Sequence, residues 1–80
     1  ETVYVRVNRL DGRSGLLVAF TDMNGERSWR VLASHLTPDH QIEDMLDREI
    51  ARDPDMWVVE IEDKQGRHFL EEKVEGNWQS

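Results

Sequence analysis

Cysteine is absent from this 80-residue chain, and with it go the disulfides that stabilise small secreted scaffolds and the thiolate ligands of structural zinc. Stability must therefore rest on apolar burial, which suits a reducing compartment, and a cytoplasmic location is the expectation. Proline occurs twice and glycine five times, too few for a linker or a low-complexity tract, and no internal repeat is visible. Long apolar runs are missing too. Nothing approaches the ~20 residues of a membrane span, and Glu1-Thr2-Val3-Tyr4 lacks the charged-then-apolar order of an export signal. A chain of this length holds one hydrophobic core, so a single domain over residues 1–80 is expected.

Positive charge is in deficit. The formal net charge is -7, which opposes attraction to polyphosphates and to anionic membrane surfaces. The excess is unevenly placed. Through Leu36, Arg6, Arg9, Arg13, Arg27 and Arg30 balance Glu1, Asp11, Asp22 and Glu26, whereas from Thr37 onward carboxylates far outnumber Arg48, Arg52, Lys64, Arg67 and Lys73. Two faces of different sign are the expected result.

What is present alternates. Thr2 to Leu10 sets Val3, Val5 and Val7 against Tyr4, Arg6 and Asn8, the period of a half-buried strand. A second strand runs from Leu16 to Asp22. Asn24-Gly25 then predicts a two-residue hairpin turn, which would oppose Asp22 to Arg27, Phe20 to Trp29, Val18 to Val31 and Leu16 to Ala33 on one face. Thr37-Pro38-Asp39 reads as a helix start, with Thr37 as the cap, and Pro54 as the stop of a helix over residues 38–53. Its buried stripe would be Ile42, Met45, Leu46 and Ile50, with His40, Glu43, Asp44 and Asp47 outward. Strands over Met56 to Glu62 and Arg67 to Val74 follow, joined at Asp63-Lys64-Gln65-Gly66 by a type I turn with Gly66 left-handed.

Three strands, a helix and two strands make an α+β domain in the order β-β-β-α-β-β. The order fits either a five-stranded antiparallel sheet carrying one helix or an OB-like barrel, in which the helix sits between the third and fourth strands. The first or the last strand would then offer an open edge.

Known enzyme sites need equipment that is missing here. His35, His40 and His68 have neither cysteine partners nor a second histidine one helical turn away, and His40 with Asp44 alone makes no metal site. Ser14 and Ser34 lack a nucleophile elbow, and Gly12 and Gly15 do not lead into a phosphate loop. The chain is therefore expected not to be an enzyme and to need no metal or cofactor.

Two binding surfaces remain. The acidic helix face of Glu43, Asp44 and Asp47 would suit a basic protein surface, with Trp78 either closing the sheet or serving as an exposed anchor. This gives the leading reading, a small acidic adaptor, regulatory domain or inhibitor that binds a protein and not a membrane. The alternative is a single-stranded nucleic-acid binder that stacks and neutralises through Tyr4, Arg6 and Arg30 on one strand face. Trp29 and Trp57 are expected in the core, the latter alternating with Val59 and Ile61.

Overall fold

The computed structural model describes residues 2–80. The alternating N-terminal run forms β1 (Val3–Asn8), which turns back into β2 (Arg13–Thr21) and then β3 (Arg27–Pro38). The helix α1 (Asp39–Arg52) leads to β4 (Trp57–Glu62), and a short β5 (Lys73–Glu75) follows after an irregular stretch. The five strands lie in one open sheet in the order β4-β1-β2-β3-β5. The α+β class and the single helix are as expected.

The pairing is not. The sheet is mixed and does not close: β1 and β2 and β2 and β3 pair antiparallel, but β4 joins β1 in parallel and β5 joins β3 in parallel. The expected C-terminal hairpin is therefore absent, and β4 and β5 stand at opposite edges. The reason lies in the central strands, which are apolar on both sides. Tyr4 and Leu16 face one way and meet Ile42 of α1, with Val18, Ala33, Met45, Leu46 and Met56 around them. Val5, Val7, Leu17 and Trp29 face the other way. A single helix covers only one face of a sheet, so the chain after β4 crosses the second face, where Leu70 and Trp78 complete that core. That crossing is why Arg67 to Val74 is not one strand: only its end pairs, and Phe69 within it takes φ 59.

The turn between β2 and β3 is longer than a two-residue hairpin, and its register is shifted by one residue. The Asp22 carboxylate accepts from the backbone N–H groups of Asn24 and Glu26, both at 2.9 Å, and the Gly25 N–H reaches the Asp22 carbonyl at 3.0 Å. This holds Asp22 to Glu26 as the loop and pairs Thr21 with Arg27, Phe20 with Ser28 and Ala19 with Trp29. A one-residue slip exchanges faces, so Phe20 and Trp29 lie on opposite sides of the sheet. Irregularities around Leu16 then restore one expected pair, Leu16 with Ala33.

The helix matches its predicted span to within a residue at each end. Thr37, however, does not cap it. Thr37 belongs to β3 and pairs with Ser14, and the cap position is Pro38. Ile42 is fully buried beneath α1, but Ile50 is 52% exposed and drops out of the expected stripe.

Trp57 and Val59 are also corrected. They are 62% and 49% exposed, because β4 is the outermost strand and the crossing segment packs over its inner neighbours. Trp78, by contrast, is only 8% exposed. Its ring occupies the space above Gly15, where an added Cβ would lie 2.3 Å from the ring, and its indole N–H donates to the Gly66 carbonyl at 2.7 Å. Its own carbonyl accepts from the His35 N–H at 3.1 Å, so the tail runs on beside β3.

Two substitutions measure this joint. Gly15→Ala should cost about 1–3 kcal/mol by overpacking and Trp78→Ala about 3–5 kcal/mol by emptying the slot. Urea unfolding should show both as lower midpoints with little change in slope.

Candidate functional site

On the helix side of the sheet a polar seam fastens α1 to β1 and β2. The Tyr4 hydroxyl donates to Glu49 Oε1 at 2.7 Å, and Ser14 Oγ donates to Asp39 Oδ1 at 2.5 Å. Arg6 Nη2 lies 3.3 Å from the same Asp39 oxygen and 3.8 Å from Glu43. Burial, the hydrogen bond to Glu49 and the charge of that carboxylate raise the Tyr4 pKa from its ordinary 10.0 to about 12. The same hydroxyl, with Arg52, holds Glu49 below its usual 4.5.

This seam decides the placement of the nucleic-acid candidates. Tyr4 is 4% exposed and lies beneath the helix, so it offers no stacking surface. Arg6 is neutralised by Asp39 and Glu43. Arg30 is exposed, and its guanidinium lies over the Phe20 ring at 4.3 Å. The three share a strand face as expected, but the helix covers two of them.

Two of the three histidines, His35 and His68, pack against Trp78. His35 is buried, with Arg9 Nη1 donating to its Nδ1 at 2.9 Å, which leaves Nε2–H to donate to Gln79 Oε1 at 3.1 Å. His68 packs edge-on to Trp78 at 5.4 Å, and burial lowers its pKa below 6.5. His40 is exposed on α1. Among the described residues no three His, Asp or Glu side chains gather to hold a metal. The turn after β4 is as the sequence predicts, with Gly66 at φ 75 and its N–H on the Asp63 carbonyl at 2.9 Å. Arg67 grips the Asp63 carboxylate through Nε at 3.0 Å and Nη2 at 2.8 Å and lowers its pKa to about 2.

Glu43, Asp44 and Asp47 stand outward and exposed on α1, where the helical period puts them. Trp78 does not join them, since it is packed under the other face of the sheet. Exposed apolar side chains occur singly at Leu10, Met23, Ile50 and Phe69, and in succession at β4, where Trp57, Val58 and Val59 are open. A cleft of about 560 Å³ lined by Pro54, Asp55, Met56 and Trp57 leads into that strand. Glu43, Asp47 and Ile50 follow at four- and three-residue spacing, so they share one flank of α1. Through Glu43 and Arg6 this flank overlooks β1, whose outer neighbour is β4. On β4 the residues that share the helix side of the sheet are Val58, Glu60 and Glu62, while Trp57 and Val59 open on the opposite face. A signal for this was present in Trp57-Val58-Val59, a run of three apolar residues that breaks the alternation of a strand with one buried face.

These features define a class: a small α+β domain whose five-stranded mixed sheet is covered by one helix and by its own C-terminal segment. Within it the chain belongs to a family described as "Protein of unknown function (DUF1491)", whose model matches residues 2–71. The crystal structure of a DUF1491 family protein from Caulobacter crescentus CB15 is similar, with 40% identity and a TM-score of 0.76 over 92% of this chain and 69% of that one. An NMR structure of a DUF1491 family protein from the same organism gives 41% identity and a TM-score of 0.71 over 94% of this chain and 68% of that one. A solution structure of a protein from A. tumefaciens gives 30% identity and a TM-score of 0.63 over 76% of this chain. This chain spans 58% of the A. tumefaciens protein. No curated protein matches. No helix among the described residues is long and apolar enough to cross a membrane.

Tyr4 is the only tyrosine, so its ionisation can be followed directly by absorbance. The midpoint should fall near 12 and not 10.0, and the stability that the seam adds should be complete below pH 10 and lost as pH rises toward 12. Tyr4→Phe should cost about 1.5 kcal/mol at neutral pH and return the Glu49 carboxyl toward its ordinary range.

Proposed function

We propose that this domain is a non-catalytic protein-binding module of a reducing, cytoplasmic setting, and that it docks its partner on the side formed by β4 and the acidic flank of α1. The observation that carries the reading is the exposure of Trp57, Val58 and Val59 in succession on an outermost strand. Scattered apolar residues on a surface need no explanation, but here Trp57 and Val59 open together on the face of Val3 and Val5 while Val58 opens on the other, so the edge of the sheet is apolar on both sides and carries a tryptophan. The same strand carries Glu60 and Glu62 on its helix side, Asp55 precedes it, and Glu43 and Asp47 are exposed on α1, so the partner is a basic protein surface. Asp44 sits further round the helix and adds to the long-range field.

A regulatory, adaptor or inhibitory role follows from the same surface, since each requires only recognition. The nucleic-acid reading has less support, because Tyr4 is buried beneath the helix and Arg6 is paired with Asp39 and Glu43.

The test is affinity capture from host extract with wild type, with Trp57→Ala, and with Glu43→Lys, Asp44→Lys and Asp47→Lys combined. A host protein retained by wild type should be lost with Trp57→Ala, and the charge reversal should weaken it and flatten its dependence on salt. Retention of the same proteins by all three would remove this surface from consideration.

A further inference from the structure

The outer edge of β4 has its own hydrogen-bonding pattern. The Trp57 N–H donates to the Thr2 carbonyl at 2.8 Å and the Asp63 N–H donates to the Asn8 carbonyl at 3.0 Å. Peptide groups alternate in direction along a strand, so Trp57, Val59 and Ile61 turn theirs toward β1. Val58, Glu60 and Glu62 then turn theirs outward, away from the sheet. Among the described residues no strand lies beyond them.

Natural edge strands are blunted by proline, lysine, a bulge or extreme shortness. β4 has no proline, lysine or bulge, and its only such device is the charge of Glu60 and Glu62, which turns away strands that are themselves acidic or uncharged and not basic ones. It is six residues long, reads Trp57-Val58-Val59-Glu60-Ile61-Glu62, and keeps an unbroken register with β1 along its whole length. Its side chains are also sorted. Trp57, Val59 and Ile61 share the face of Val3, Val5 and Val7, while Val58, Glu60 and Glu62 share the face of Tyr4, Arg6 and Asn8.

From these facts we infer that β4 accepts an extended segment of another protein as a sixth strand, and that this segment alternates apolar with basic side chains. The inference rests on the protein-binding reading and specifies its mode. Main-chain hydrogen bonds to Val58, Glu60 and Glu62 supply the attachment, and the alternating side chains supply the choice of partner. The apolar set of the incoming strand continues the row of Trp57, Val59 and Ile61. The opposite set lies against Glu60 and Glu62, on the side of the sheet that also bears the exposed carboxylates of α1, so Lys or Arg is required there. A second copy of this chain fits less well: it brings a further charge of -7 to an edge that is already acidic.

The probe is a labelled eight-residue peptide alternating lysine and valine with blocked ends, titrated against the 80-residue chain and followed by anisotropy. Two controls accompany it, an alternating glutamate and valine peptide and the lysine peptide with its edge-facing amides methylated. The lysine peptide should bind and both controls should fail. Val58→Pro removes one outward N–H and no bond to β1, and proline is tolerated at such a position, so it should weaken the peptide roughly tenfold or more while the Tyr4 titration is unchanged. Glu60→Lys should weaken it as well and should reduce the dependence of the remaining affinity on salt.

Equal binding by Val58→Pro and by the methylated peptide would overturn strand addition. So would slow hydrogen exchange at the amides of Val58, Glu60 and Glu62 in the free protein, because it would mean that another part of the chain or a second copy already pairs there. Sedimentation would separate those two occupants. If a host protein is lost with Trp57→Ala yet kept by Val58→Pro, the docking surface stands and only the strand mechanism falls.

Discussion

The central strands are apolar on both faces, and the rest of the chain is disposed to cover them. One face is closed by α1 through Ile42, Met45 and Leu46, the other by the segment that returns after β4 and ends on Trp78. This demand explains the mixed sheet. A hairpin of β4 and β5 would have left Val5, Val7 and Leu17 open to water, at a cost of about 1.5–3 kcal/mol for each large side chain. Sending the chain across that face instead separates the last two strands and places them at opposite edges. The open edge at β4 is a by-product of the same solution.

Polar groups then set the helix in position. Apolar contact alone would let α1 slide along the sheet, but Tyr4 with Glu49 toward one end and Ser14 and Arg6 with Asp39 toward the other fix it at two points. The seam has a second effect on the surface. The ion pairs of Arg6 with Asp39 and Glu43 leave Asp44 and Asp47 as carboxylates of α1 that are exposed and outside the seam.

Features governed by short-range chemistry were legible in the sequence. The helix was readable from its three- and four-residue spacing and from Pro54, the turn at Gly66 from its left-handed glycine, and the outward set of Glu43, Asp44 and Asp47 from the helical period. Where a competing interaction intervened, the reading slipped. Asn24-Gly25 signalled a turn, but the Asp22 carboxylate took its N–H groups and lengthened the loop, which moved the register. Long-range choices were not legible. The partner of β4 depends on which face lacks cover, and the fate of Trp78 depends on an atom that Gly15 does not have. The alternation of Trp57 with Val59 and Ile61 was read correctly as a pattern and wrongly as burial, because the pattern does not reveal how many strands lie outside it.

The pairing of β1 with β4 joins Val3 to Trp57. Most of the chain separates the two members of that pair, whereas the other neighbour of β1 is β2, next to it in sequence. An antiparallel neighbour close by and a parallel one far off give β1 two contacts with very different costs of loop closure. With β5 joining β3 in the same way, both edges of the sheet are long-range parallel pairings, which makes this a slower topology to assemble than a meander of hairpins.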